Sequence, residues 1–368
     1  MKVLVTGAGG FIGKNLVAAL RERTDIEVVP FTRDMSVSGL SDQAPGLDFV
    51  FHLAGVNRPP DETEFWRGNV DLTRELCEVL QGTGNAIPVL YTSSSQAALA
   101  NPYGKSKCAA EEVLRGYSAS CGASVSIMRL PNVFGKWCRP NYNSAVATFC
   151  HNIARDLPIS IVDPTRELTL VYIDDVVRTF IETMDRKGDC QETPDVTPRY
   201  TISVGDLADL IRGFRESRST LVTDRVGAGL TRALYATYMS SLPPDRFAYE
   251  IPAYTDPRGA FAEVLKTPDC GQFSFFTAKP GVTRGGHYHH TKTEKFLVLK
   301  GEARFGFRHI LSNEVHEVNT SGEHPVIVET VPGWAHDITN VGTEDLVVML
   351  WANESFDRAR PDTISHKV

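Results

Sequence analysis

Up to about residue 180 the chain alternates short apolar runs with longer amphipathic stretches. Val3–Val5, Ile26–Val29, Phe49–Leu53, Val89–Tyr91 and Val125–Met128 read as buried strands, since short mainly apolar runs are what a sheet covered on both faces requires. Between them Gly13–Arg23, Asn69–Leu80 and Tyr103–Tyr117 carry apolar residues at helical spacing. The alternation predicts an α/β Rossmann architecture, a parallel sheet covered by helices on both faces. Beyond about residue 250 the rhythm changes to closely spaced strands separated by glycine turns: Gln272–Thr277, Glu294–Leu299, Ala303–Arg308, Pro325–Val328 and Leu346–Trp351. An all-β barrel or sandwich follows. The Gly- and Pro-rich stretch Arg225–Pro252 places the junction, dividing the chain into 1–243 and 244–368.

A length of 368 residues independently argues for two cores rather than one. The net charge of -7 gives no electrostatic reason to expect nucleic acid as a partner. Seven scattered cysteines without a C-x-x-C pair indicate neither a thiolate zinc site nor a disulfide framework. The start lacks the pattern of a signal peptide, and no apolar run is long enough for a membrane span, so the cytoplasm is the expected compartment.

The first strand runs into Gly7-x-x-Gly10-x-x-Gly13 and then a helix. Glycines there let backbone approach a pyrophosphate, whose charge the helix N-terminus stabilises. About 20 residues on, where such folds meet the adenosine ribose, stand Thr32, Arg33 and Asp34. Arg33 suits a 2′-phosphate and Asp34 a free 2′-hydroxyl; the expectation is NADPH, with a solvated surface arginine as the plain alternative. In a helix Tyr103 and Lys107 share a face. A neighbouring ammonium favours the ionised phenol, so the pair can deliver a proton to a carbonyl oxygen as hydride arrives.

With the serine-rich strand end Thr92-Ser93-Ser94-Ser95, these residues resemble the extended short-chain dehydrogenase/reductase family. The resemblance takes in His52-Leu-Ala-Gly55, Asn69-Val-Asp-Leu-Thr73, Arg129-Leu-Pro-Asn-Val-Phe-Gly135 and Tyr172-Ile-Asp-Asp-Val176. It implies a carbonyl-polarising hydroxyl at Ser94, with Ser95 the close alternative. It also implies a cofactor site formed by Gly7, Gly10, Phe11, Ile12, Gly13, Arg33, Leu53, Ala54, Gly55, Tyr103, Lys107 and Pro131. Nucleotide-sugar substrates are implied too, with Lys136–Ser144 and Arg166 placed to hold the diphosphate or, equally, to lie in solvated loops.

Eight of the ten histidines lie after residue 286. In Gly281-x5-His287-x-His289-x4-Glu294-x6-Gly301, residues two apart on a strand would aim His287 and His289 inward together, Glu294 coming from the neighbouring strand. Pro332-Gly-Trp-Ala-His336-x-x-x-Asn340 adds a fourth ligand. Three imidazoles and a carboxylate suit one divalent metal, zinc favoured, with iron, manganese and nickel open.

Both segments resemble the two cupin motifs, which implies a double-stranded β-barrel with the site inside. Asp256-Pro-Arg-Gly-Ala-Phe-Ala-Glu263 resembles the sugar 3,5-epimerase branch of the cupins, and a homodimer is expected by analogy with other cupins.

A ketosugar reductase fused to such a cupin resembles the bifunctional enzymes of UDP-N-acetyl-L-fucosamine synthesis, which serve capsule and O-antigen assembly. The implied chemistry is C3 epimerisation of a UDP-2-acetamido-2,6-dideoxy-4-hexulose in the cupin. NADPH-dependent C4 reduction to UDP-2-acetamido-2,6-dideoxy-L-talose follows in the N-terminal domain. His290 and Lys292 flank the ligands and are the candidates for proton transfer. Competing expectations are a cupin of unrelated metal-dependent activity and a non-catalytic NADP-sensing module.

Overall fold

The computed structural model describes residues 1–368 apart from 36, 187–193, 257–258, 263–264, 266–270 and 355–358, and omits the side chains of 38, 253–256, 259–262 and 272–274. The chain divides into two compact units, Met1–Trp137 with Leu168–Thr201, and Cys138–Glu167 with Ile202–Val368.

In the first unit β1 (Lys2–Thr6), β2 (Glu27–Phe31), β3 (Phe49–His52), β4 (Val89–Ser94) and β5 (Val125–Leu130) form a parallel sheet ordered β2-β1-β3-β4-β5. Helices Leu72–Gly82 and Pro102–Cys121 cover one face, where Leu76, Leu80, Leu114 and Tyr117 bury against Leu4, Val50, Val89 and Ile127. On the other face Phe180, from helix Ile173–Asp185, stacks on Phe51 at 6.0 Å. Strands packed on both sides can be apolar throughout, which is why their pattern does not alternate. The Pro102–Cys121 helix has its limits written locally: Asn101 caps it by accepting from the Gly104 amide at 2.7 Å, and Pro102 takes the first turn. Because β2 and β3 flank β1 on opposite sides, a crevice opens at the carboxyl ends of β1 and β3, the usual ligand position in such sheets. A further short strand, β6 (Asn132–Phe134), pairs in parallel with β7 (Glu167–Tyr172).

The second unit includes β8 (Tyr200–Ser203) in part, helices Ala145–Ile153, Val204–Thr220 and Gly229–Met239, and strands β9 (Ala248–Glu250), β10 (Ala253–Asp256), β11 (Gly259–Ala262), β12 (Gln272–Ala278), β13 (Thr283–Tyr288), β14 (Glu294–Lys300), β15 (Glu302–His309), β16 (Val315–Ser321), β17 (Val326–Glu329), β18 (Trp334–Asn340), β19 (Leu346–Ala352) and β20 (Ile364–Ser365). Two antiparallel sheets, β12-β19-β14-β17-β9 and β16-β15-β18-β13-β20, meet face to face, with Phe296 against Phe305 at 5.6 Å. The expected closed barrel is corrected here. Among the described residues each sheet ends on its own edge strands, and the two are joined by side-chain packing rather than by a closed hydrogen-bonded ring.

The stretch expected as a junction also differs. Its middle, Gly229–Met239, is a helix whose residues Ala233 to Met239 are all buried, because the run Ala-Leu-Tyr-Ala-Thr-Tyr-Met carries more apolar surface than a linker can expose. In the epimerase-like stretch, β10 and β11 form an antiparallel hairpin; Pro257, Arg258 and Glu263 lie outside the described residues.

Candidate functional site

The crevice of the first unit is shaped by what cannot fit in it. Gly7 has φ 68, and a Cβ there would stand 2.8 Å from the Ala54 amide nitrogen; one at Gly13 would stand 2.1 Å from the Gly7 carbonyl oxygen. Backbone therefore packs on backbone, and the start of helix Phe11–Arg21 opens on a loop with no side-chain cap, a cradle of the kind a pyrophosphate fills. Gly10, Phe11 and Ile12 lie on this turn, and Leu53 and Ala54 donate their amides to Thr6 Oγ1, each at 3.2 Å. His52 bridges Thr6 Oγ1 and Thr73 Oγ1, both at 2.8 Å, and burial, with help from Lys107, pushes it down to about 3, so it is neutral. Arg33 is exposed just beyond β2, and Pro131 follows β5. The residues present fit a dinucleotide.

The expected acid–base residues gather at the end of β4. Ser94 is buried, its hydroxyl accepting from the Gln96 amide at 3.1 Å and lying near enough to the Tyr103 phenol to lower it, whereas Ser95 is exposed. Burial raises the Tyr103 phenol above its ordinary value and the Ser94 contact lowers it again in part. Lys107 is buried, donating to the Tyr91 hydroxyl at 3.0 Å and the Thr92 carbonyl at 2.8 Å, and burial brings it down to about 7 despite the opposing charge of Glu111. A Cβ at Gly55 would lie 3.3 Å from this ammonium, so glycine keeps the space above it open.

Two side chains support this site; the sequence pattern had not singled out Phe65, and it had given Asn69 no role. Phe65 packs on Tyr103 with ring centroids 5.7 Å apart, and Asn69 binds both the Val56 backbone and Ser106. Both come from a single π-helical turn and the residues just before it, Trp66–Asp71, a distortion that helical periodicity does not signal. Of the expected diphosphate holders, Lys136 is buried with its ammonium on Asp174 at 2.7 Å, while Arg139 and Arg166 are exposed in the second unit.

In the second unit His287, His289, Glu294 and His336 offer ligand atoms all within 4.8 Å of one another. His287 lies opposite His336 on the paired strands β13 and β18, next to a bulge after Gly285; Glu294 opens β14 on the facing sheet. Both ring nitrogens of the buried His336 lack a hydrogen-bond partner among the described residues, an arrangement costly in a protein interior unless a metal takes a lone pair. Burial and the neighbouring imidazoles push His287 down to about 4, leaving it a neutral donor. Burial opposes charge on Glu294, but the close imidazoles of His289 and His336, 3.3 and 3.5 Å away, hold it ionised, well below the usual carboxylate range. The set fits one divalent ion.

Sequence reasoning gave no role to the group that orients this set, although the stretch Pro361-Asp-Thr that holds it resembles the bifunctional enzymes of UDP-N-acetyl-L-fucosamine synthesis. Asp362 accepts the amides of His290, Thr291 and Lys292 at 2.9, 2.9 and 2.8 Å, and its carbonyl takes the His289 Nδ1 proton at 2.5 Å. That contact leaves Nε2 of His289 as the lone pair facing Glu294, 3.3 Å away. Lys292 is buried with Nζ 3.6 Å from Glu294 Oε1, and His290 packs edge-on to Tyr288.

Two family models match separate stretches of the chain. Residues 3–196 match the NAD dependent epimerase/dehydratase family, and residues 254–364 match the polysaccharide biosynthesis C-terminal domain. The chain is 63% identical to a UDP-2-acetamido-2,6-beta-L-arabino-hexul-4-ose reductase of Pseudomonas aeruginosa, covering 100% of this chain and 99% of the relative. Among solved structures it is similar to the capsular polysaccharide assembling protein CapF of Staphylococcus aureus (40% identity, TM-score 0.69, 100% of both chains). A UDP-glucuronic acid 4-epimerase of Bacillus cereus shares the fold at 22% identity and TM-score 0.53, over 60% of this chain and 84% of that one. No helix among the described residues is long and apolar enough to cross a membrane. Matched over residues 3–196 and built on a parallel sheet with a glycine-lined crevice, the chain belongs to the NAD dependent epimerase/dehydratase family.

Proposed function

We propose that the chain is a bifunctional enzyme of a UDP-linked 2-acetamido-2,6-dideoxy-4-hexulose, epimerising C3 in residues 244–368 and reducing C4 with NADPH in residues 1–243 to give UDP-2-acetamido-2,6-dideoxy-L-talose. The observation that carries the reading is the gathering of buried Ser94, Tyr103 and buried Lys107 at the end of β4, in a chain similar over its whole length to a 4-ketosugar reductase.

A bound nicotinamide supplies hydride to C4. The chain must then supply a proton to the C4 oxygen and stabilise what is left. Tyr103 is suited to this: burial keeps the phenol protonated until use, and Ser94 can polarise the carbonyl while holding the phenol in line. The Lys107 ammonium stabilises the phenolate that remains. In the second unit a ketone at C4 acidifies the C3 hydrogen. His290 and Lys292, beside the ligand set, are the groups that would remove and return that proton, inverting the centre. A divalent ion, zinc favoured, held by His287, His289, Glu294 and His336 would supply Lewis-acid polarisation or rigidity. Epimerisation is reversible, and reduction removes the ketone that permits it, so the second step draws the first forward.

The chain acts as a homodimer in this reading, with capsule or O-antigen precursors as its products. The test is incubation of the purified chain with NADPH and the UDP-4-keto sugar in heavy water. One deuterium at C3 of a reduced product is expected; reduction without exchange would remove the epimerase half. Arg33 accounts for the choice of NADPH: in Arg33→Ala the KM for NADPH should rise at least about tenfold, from loss of a charge-assisted phosphate contact, while that for NADH stays within about twofold.

A further inference from the structure

Glu111 is a carboxylate with no exposure at all, one helical turn beyond Lys107 on Pro102–Cys121 and away from any reacting atom. Arg129, from β5, grips it through Nε at 2.9 Å and Nη2 at 2.6 Å; Ser93, from β4, donates to Oε1 at 2.5 Å; Arg115 stands 3.4 Å off. Burying a charge this deeply is costly unless it is paired on every side, so its retention in a helix otherwise packed on apolar strands calls for a reason. Its neighbours supply one. Ser93 directly precedes Ser94, whose hydroxyl meets Tyr103, and Lys107 shares the helix face of Glu111.

We infer that Glu111 is a positioning residue of the reductase site: it keeps Lys107 in its ammonium form near neutral pH and, through Ser93, fixes the end of β4 that presents Ser94 to Tyr103. The inference rests on Tyr103 and Lys107 being the reductase pair. Among the described residues, the other elements around Lys107 offer nothing that could replace this charge. From β3 comes His52, which is neutral; from β4 come the Tyr91 hydroxyl and the Thr92 carbonyl, which accept hydrogen bonds but carry no charge; on its own helix stands the Tyr103 phenol. Glu111 itself stays ionised, since the hydrogen bonds from Arg129 and Ser93 and the charges of Arg129 and Arg115 outweigh the burial that opposes it.

Loss of the carboxylate removes the negative charge that holds the ammonium against burial, so Lys107 loses its proton at lower pH. The experiment is the pH profile of NADPH oxidation by the full chain with the UDP-4-keto sugar. In Glu111→Gln the alkaline half-maximum should fall by about one pH unit or more; in Glu111→Asp, which keeps the charge, it should stay within about 0.3 unit of the unmodified protein. Should Glu111→Gln fold poorly, the double variant Glu111→Gln with Arg129→Gln removes both partners together and should show the same fall. A folded Glu111→Gln chain with an unmoved half-maximum overturns the inference. Lys107→Met separates the two levels: if it keeps full activity the reductase pair itself is wrong, and if it is inactive while Glu111→Gln leaves the profile unmoved, only the role of Glu111 is.

Discussion

Replacing Tyr103 with phenylalanine is expected to lower NADPH oxidation by about a hundred- to ten-thousand-fold, the usual worth of a general acid, while exchange of the C3 proton with solvent continues. The substitution removes one oxygen from a side chain whose ring is held against Phe65, so the crevice should keep its shape. What disappears is the proton donor beside Ser94. Because the exchanging groups belong to a different unit of the chain, the two activities should separate in one variant. Stopped-flow absorbance of NADPH and mass increments in heavy water read them independently. Retention of full reductase activity would remove the central assignment.

The opposite separation is expected of His289→Ala. The variant should lose stoichiometric metal, measured by elemental analysis of the dialysed protein, and with it C3 exchange, while NADPH oxidation with an already epimerised 4-keto sugar persists. The loss should be steep: His289 is a ligand candidate whose tautomer the Asp362 carbonyl settles, so no rotation of the remaining residues restores the set. Stability gives a second reading. An ion at a hundredfold its Kd stabilises the folded state by about 2.7 kcal/mol, so chelation should lower the melting temperature of the unmodified protein by roughly 5–10 °C and that of His289→Ala hardly at all. A variant that retains one metal per chain would refute the ligand set.

Much of this was legible in the chain itself. Gly7 and Gly13 stand where a Cβ would meet backbone, and steric need of that kind leaves a plain mark in sequence. The four metal-ligand candidates were found because strand periodicity puts His287 and His289 close, and Pro332–Asn340 brings His336 to the strand beside them. Ser94 was preferred by counting along β4, and the buried contact with Tyr103 lies there. What stayed hidden depends on long-range closure. Nothing near His289 points to Asp362, 73 residues away. Nothing near Lys107 announces that its ammonium will bind Tyr91 and the Thr92 carbonyl, because those contacts arise only when helix Pro102–Cys121 lies across β4. The Gly229–Met239 helix was hidden differently: its flanking glycines and prolines suggest a linker, and only burial of Tyr235 and Tyr238 shows how much apolar surface it contributes. The open sheets, too, reflect strand order, which periodicity does not encode.

The tether from Asp362 has a consequence for biosynthesis. Three backbone amides and the His289 imidazole are organised by a residue that leaves the ribosome long after they do, and Ile364 and Ser365 then pair with Tyr288 and His287. The nascent chain can therefore carry His287, His289, Glu294 and His336 and still lack the contact that orients His289, which forms only once Asp362 has been made.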